Sequence, residues 1–185
     1  MKKLYMVRHA ESEHNVQHVF SGHSEPNLTD KGLRQAQETG KELKDGPISI
    51  DLIICSPTKR TTSTAEIIAE QIGYPKSKII TDKQLIERHF GDLEGTSGDK
   101  FYLTHKHKDI DKVPNAETVE DLSSRVKKVL EDVKKRPEDN ILFVTHGATG
   151  RAMLRELKDL PATHEFKLSH RMKYRIGNAE VVELI

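Results

Sequence analysis

ILFVTHGATGRAMLREL, residues 141–157, is the stretch that decides the fold. Its first five residues form an apolar run of strand length, and after His146 the pattern changes to the helix-compatible spacing of residues 147–157. A short apolar run followed at once by a helix is the sequence form of a βα unit. The alternation recurs on both sides. Residues 52–55 are a second apolar run, followed by Ser56-Pro57 and a helix-like TTSTAEIIAEQI that stops at Gly73. Residues 4–7 predict the first strand. Residues 29–43 predict a helix behind Thr29 as N-cap, with Leu33, Ala36 and Leu43 on its apolar face. A short third strand is expected over residues 79–81. Residues 118–135 set Val119, Leu122, Val126, Val129, Leu130 and Val133 on one helical stripe, and residues 179–185 read as a closing strand. The expected class is α/β: a three-layer sandwich with a mostly parallel central sheet flanked by helices. One domain spans residues 1–185, with residues 96–116 as a short lid or specificity insertion.

Composition narrows the function. A chain of 185 residues suits one domain with a real core and is short for two. Aromatic residues are only 5%, so the core is expected to be aliphatic, while 32% charged residues describe a solvated exterior. A net charge of +1 gives no global attraction to nucleic acid or to an anionic membrane, so neither is expected as a partner and any anion must be bound locally. No apolar run approaches bilayer length, and MKKLYMVRHAES loses its apolar character at Arg8, so a cytoplasmic protein is expected. The single cysteine, Cys55, excludes an intramolecular disulfide and reads as a small buried residue of its strand.

In open α/β sheets ligands bind beyond the carboxyl ends of the strands. Three strand ends here carry unusual chemistry: VRHAES after the first, CSPTKR after the second, and VTHG after the one at 141–145. Arg8 and Arg60 are permanently charged forks suited to phosphoryl oxygens, and the start of the helix after His146 offers backbone N–H groups to the same anion. His9 and His146 add two imidazoles, and a neutral imidazole nitrogen is a competent nucleophile toward phosphorus. Glu87, in LIERHFGDLEG, is a carboxyl group able to protonate a leaving oxygen. A lone histidine at a strand end is ordinarily structural; the company of Arg8, Arg60, Glu87 and His146 makes His9 a catalytic candidate.

These residues resemble a known family. RHAES-x-x-N resembles the Arg-His-Gly signature of the histidine phosphatase superfamily, the phosphoglycerate-mutase-like proteins. The resemblance continues in order through LTDKGLRQA, CSPTKRTTSTA, ERHFGDLEG, AETVEDLSSRV and FVTHG to the terminal GNAEVVEL. It implies that His9 is phosphorylated, that Arg8, Arg60 and His146 hold the phosphate, that Glu87 is the proton donor, and that Asn15 lines the pocket. Ser21, Gly22, Arg88 and Gly147 are further candidates for substrate contact. No metal and no cofactor are implied. Two positions depart from the pattern: Ala10 stands where glycine is usual, restricting the backbone beside the nucleophile, and Asn115-Ala116 replace the glycines that commonly precede the pair occupied here by Glu117-Thr118.

The resemblance leaves two branches. ERHFG is close to the ERHYG of the cofactor-dependent phosphoglycerate mutases. Mutases, however, insert a long segment after this motif, with paired arginines for the substrate carboxylate. Here about twenty residues separate Gly95 from Glu117, no Arg-Arg pair occurs, Phe90 replaces the tyrosine, and Gly98 falls where the mutase lysine would be. A small lid leaves a phosphoenzyme open to water, so a phosphatase is expected, acting on a small phosphorylated metabolite. A weakly active regulator that binds phosphorylated ligands is a third reading, opposed by the presence of both a nucleophile and an acid. Monomer or homodimer is equally compatible with the sequence.

The remaining motifs have milder readings. His14, His18 and His23 follow the first strand and are expected to be surface or hydrogen-bonded histidines, His23 with some reach toward substrate. HKHKDID, residues 105–111, would align His105, His107, Asp109 and Asp111 on one face if extended, as a metal site needs. Its lysines and lack of apolar support favour a solvated lid loop. KLSHRMKYR, residues 167–175, is basic enough to attract a phosphorylated tail but reads by default as a solvated surface strand.

Overall fold

A computed structural model describes residues 2–158 and 176–185 of the chain. Five strands form one sheet among these residues: β1 (Lys3–Arg8), β2 (Leu52–Cys55), β3 (Ile80–Thr81), β4 (Asn140–Thr145) and β5 (Val181–Glu183), in the spatial order β3-β2-β4-β1-β5. β3, β2, β4 and β1 run parallel, and β5 closes the edge antiparallel to β1. The helices are α1 (Glu13–Val16), α2 (Asp30–Asp45), α3 (Lys59–Ile72), α4 (Gly98–Thr104), α5 (Val119–Lys134) and α6 (Gly147–Leu157).

Side-chain alternation builds the three layers. Leu4 and Met6 of β1, Leu52 and Ile54 of β2, and Ile141 and Phe143 of β4 meet Leu122 and Val126 of α5 and Met153 of α6 on one face. Tyr5, Val7, Ile53, Cys55, Leu142 and Val144 face Leu43 of α2 and Ala65, Ile68 and Ala69 of α3 on the other. Cys55 is buried in that layer, and burial pushes its thiol up to about 12.

The caps follow the sequence. Thr29 accepts from the Gly32 N–H at the start of α2, and Gly73 ends α3 in the left-handed region at φ 72°. One expectation fails in α2: Leu33 is 40% exposed, and the buried face is Gly32, Ala36, Thr39, Gly40 and Leu43. α2 lies so close to its neighbours that a Cβ on Gly40 would come 2.6 Å from Gln71 Cβ. Smallness rather than hydrophobicity therefore selects the buried face.

The segment expected to be a lid, residues 96–116, is more folded than a solvated loop. Ser97 caps α4 by accepting from the Lys100 N–H, and residues 107–112 form a 3-10 turn that buries Ile110. The turn removes the alternating face on which a metal site over 105–111 would depend. Phe20 packs against Phe90, Phe101 and Tyr102 with ring centroids 4.9, 5.5 and 5.8 Å away, fastening α4 to the loop after α1. Residues 167–175 lie outside the described residues. No helix among the described residues is long and apolar enough to cross a membrane.

Candidate active site

The strand order brings the three reactive strand ends together. β4 lies between β1 and β2, so His9, His146 and Ser56 follow adjacent parallel strands. The His9 N–H donates to the Thr145 carbonyl at 2.8 Å and the Ser56 N–H to the Val144 carbonyl at 3.0 Å. His9 and His146 stand edge to face with ring centroids 5.3 Å apart, both buried.

His9 Nδ1 lies 2.8 Å from the carbonyl oxygen of Ala10. A carbonyl only accepts, so the proton is on Nδ1 and the lone pair is on Nε2. Burial, then His146, Arg60 and Arg8, hold the His9 imidazole well below its ordinary 6.5, so it is neutral at pH 7. Ala10 adds no strain here: it is absent from the residues with positive φ, and it packs with Ala36 and Ala179. The other departure does use a special conformation, since Asn115 sits at φ 62°, which asparagine tolerates.

His146 is the N-cap residue of α6. Its Nε2 meets Ser56 Oγ at 2.8 Å and Thr58 Oγ1 at 3.4 Å, while its buried Nδ1 has no partner among the described residues. Burial and the charges of Arg60, Arg125, Arg8 and His23 hold this imidazole well below 6.5. Arg60 is fully buried in the first turn of α3, and its Nη1 and Nη2 donate to the carbonyls of Ser24 and Gly22 at 2.6 and 2.8 Å. Its Nε is likewise buried without a partner among the described residues. A buried polar nitrogen left without a partner costs roughly 1–3 kcal/mol, and the two at Arg60 Nε and His146 Nδ1, with the His146 ring edge to face with His9, point to a place for a polar ligand.

Glu87 is buried, and its carboxylate occupies the N-terminus of α6. Oε1 accepts from the N–H groups of Arg88 at 2.9 Å and Thr149 at 3.1 Å, and the Ala148 N–H reaches both oxygens at 3.2 and 3.1 Å. Thr149 Oγ1 adds a bond of 3.2 Å. Burial would push this carboxyl up, but the N–H groups of Arg88 and Ala148 and the charges of Arg151 and Arg60 outweigh it and hold it below 4.5. The helix N–H groups expected to face a phosphate thus serve Glu87 at positions 148 and 149.

The other candidates divide. Asn15 commits its Oδ1 to Ser12 N–H, Ser12 Oγ and Asn178 Nδ2, so only its amide N–H groups remain for a ligand. Asn178 Nδ2 also donates to the His9 carbonyl at 2.9 Å. Arg8 Nη1 donates to Ile176 O at 3.0 Å, and Arg8 Nε and Arg151 Nη1 lie 3.5 and 3.3 Å from where a Cβ on Gly147 would sit. Gly147 therefore has two arginines beside it. Ser21 Oγ pairs with His14 Nδ1 at 3.0 Å. Arg88 donates from Nε to the Glu117 carbonyl at 2.8 Å and pairs through Nη2 with Asp111, which ties it to the segment around residues 111–117. Sequence reading passed over Ser56, Thr58, Thr149, Asn178 and Arg151, of which Asn178 had a signal in the terminal GNAEVVEL motif.

Two buried neutral imidazoles, converging arginines and a carboxylate beyond a parallel sheet define an enzyme of phosphoryl-transfer type. The chain matches the model of the Histidine phosphatase superfamily (branch 1) over residues 4–184, and it belongs to that family, whose phosphohistidine chemistry the site carries. It is 37% identical over 158 residues to the uncharacterized phosphatase PhoE of Bacillus subtilis, covering 85% of this chain and 78% of the relative. A 2,3-bisphosphoglycerate-dependent phosphoglycerate mutase of Bartonella bacilliformis is 30% identical over 173 residues, covering 86% and 82%. Among solved structures, Bacillus stearothermophilus YhfR superposes with a TM-score of 0.76 at 28% identity, covering 90% of this chain and 85% of that one.

Proposed function

We propose that the chain is a metal-independent phosphomonoester hydrolase of the cytoplasm acting on a small phosphorylated metabolite. The observation that carries this reading is the His9 tautomer: with Nδ1–H held by the Ala10 carbonyl, the Nε2 lone pair is left for attack, and the His146 ring stands edge to face with it. Nε2 attacks phosphorus in line, the ester P–O bond breaks, and the leaving alkoxide takes a proton from Glu87. Water then attacks the phosphohistidine, Glu87 takes its proton, the P–N bond breaks and inorganic phosphate leaves. Arg8, Arg60, His146, Gly147 and the Asn15 amide hold the phosphoryl oxygens, and fixed positive charge supplies most of the rate. The short lid over 96–116, without paired arginines, favours hydrolysis over transfer to a second sugar acid.

The test is turnover in EDTA of p-nitrophenyl phosphate, several phosphorylated metabolites, and 3-phosphoglycerate with a trace of its bisphosphate, scoring phosphate release and isomer formation. Phosphate release that disappears in His9→Ala is expected. Isomer formation without release would assign the mutase branch, and wild-type turnover by His9→Ala would overturn the reading.

A further inference from the structure

The loop between α1 and α2 does more than border the pocket. Its backbone carbonyls at Gly22 and Ser24 hold the guanidinium of Arg60, while His23 between them reaches the other half of the site: His23 Nε2 lies 3.0 Å from the backbone carbonyl of Glu87. As that partner only accepts, Nε2 carries the proton and donates. The loop is fixed by Glu94, whose carboxylate accepts the His23 N–H at 3.1 and 3.2 Å and the Phe90 N–H at 3.1 Å. The His23 ring is further set against His89, edge to face at 4.6 Å. Three residues in a row therefore join the arginine that receives phosphate to the carboxyl group that moves the proton.

We infer that His23 is a positioning residue for Glu87, with Glu94 as the clasp that holds His23 in place. This inference rests on the proposed role of Glu87 as proton donor. The Glu87 carboxylate is oriented at its tip by Ala148 and Thr149, and the preceding carbonyl, that of Ile86, accepts from Thr149 Oγ1 at 2.7 Å. The backbone carbonyl of Glu87 itself is held by His23 Nε2. Without that bond the Glu87 peptide loses its carbonyl anchor, and displacement of a catalytic group by about 1 Å costs on the order of 100-fold.

The experiment compares His23→Ala, His23→Gln, Glu94→Ala and Glu87→Gln with the wild type on an alkyl phosphate and on p-nitrophenyl phosphate, together with inhibition by inorganic phosphate. An activated aryl leaving group needs little protonation, so it reports on folding and phosphate binding, whereas the alkyl ester reports on the acid. His23→Ala and Glu94→Ala should lose about 10- to 100-fold on the alkyl ester and less than about threefold on the aryl ester. Inhibition by phosphate should change less than about twofold, and His23→Gln, whose amide N–H replaces Nε2–H, should restore most of the alkyl activity. Equal losses on both esters, a phosphate affinity that falls as far as kcat, or failure of His23→Gln to rescue would each overturn the inference. Glu87→Gln separates the two readings. If it shows the alkyl-selective loss and His23→Ala does not, the positioning role alone falls; if it shows none, the proton-donor assignment falls.

Discussion

Gly22→Ala probes the geometry on which both halves of the site depend. Gly22 sits at φ +47°, and a Cβ there would lie 1.7 Å from Glu94 Oε1. The left-handed conformation costs an alanine about 1–2 kcal/mol. The Glu94 carboxylate, whose side chain is 20% exposed, must also swing away from the N–H groups of His23 and Phe90. Losing hydrogen bonds to a charged acceptor adds about 1.5–3 kcal/mol. The expected destabilisation is about 2.5–5 kcal/mol. The control is Gly73→Ala: at φ +72° its Cβ would meet nothing within 4 Å, so only the conformational cost of about 1–2 kcal/mol applies. Urea unfolding of both variants at pH 7.5 measures the difference. Gly22→Ala should also weaken inhibition by inorganic phosphate, because the Gly22 carbonyl holds Arg60 Nη2. Equal destabilisation by the two substitutions would refute the claim that Glu94 is packed against the loop.

Two further outcomes follow from the burial of charge. The folded-state pKa values of His9 and His146 lie well below the ordinary 6.5, so the unfolded chain binds protons more readily; stability should be constant above pH 6.5 and fall below it. Each group contributes about 1.4 kcal/mol for every pH unit between its two pKa values, and a urea midpoint unchanged between pH 7.5 and 5 would refute a neutral buried pair. Arg88→Met should destabilise by about 1.5–3 kcal/mol by leaving the Glu117 carbonyl and Asp111 without their partner, while phosphate inhibition stays within about twofold. A tenfold weaker phosphate affinity would place Arg88 among the phosphate contacts.

What was legible in the sequence was set by local rules. The Gly147–Leu157 helix and Leu52–Cys55 strand have the bounds that their apolar pattern and flanking residues predict, and the parallel order puts His9, His146 and Arg60 at one end of the sheet. Leu33 departs from the apolar face its spacing predicts because the face of α2 is chosen by the space its neighbours leave. Arg88 follows Glu87 in the chain, yet its side chain bonds the Glu117 carbonyl and Asp111, partners more than twenty residues away that the shared motif does not announce. The acceptor that fixes the His9 tautomer is the carbonyl of the next residue, which no side-chain pattern can announce. Thr149 and Glu94 meet Glu87 and His23 across more than sixty residues of chain, where composition gives no signal.

The α6 N-terminus carries the last step. A helix start attracts negative charge, and here it holds the carboxylate of Glu87 rather than standing open. In the resting site that carboxylate stays ionised, which is the wrong state for donating a proton but the right one for accepting a proton from water. On the proposed mechanism, the phosphate supplies the correction. Its negative charge enters beside Glu87 and shares the positive field of Arg60, so the carboxylate loses part of the stabilisation that holds its pKa down. Substrate binding thereby raises the affinity of Glu87 for the proton it must give, and the loss of the leaving group's demand in the second half-reaction returns it to the base. On that mechanism one residue performs both roles because the Glu87 carboxylate and the anionic substrate compete for the same positive field of the arginines and the α6 N–H groups.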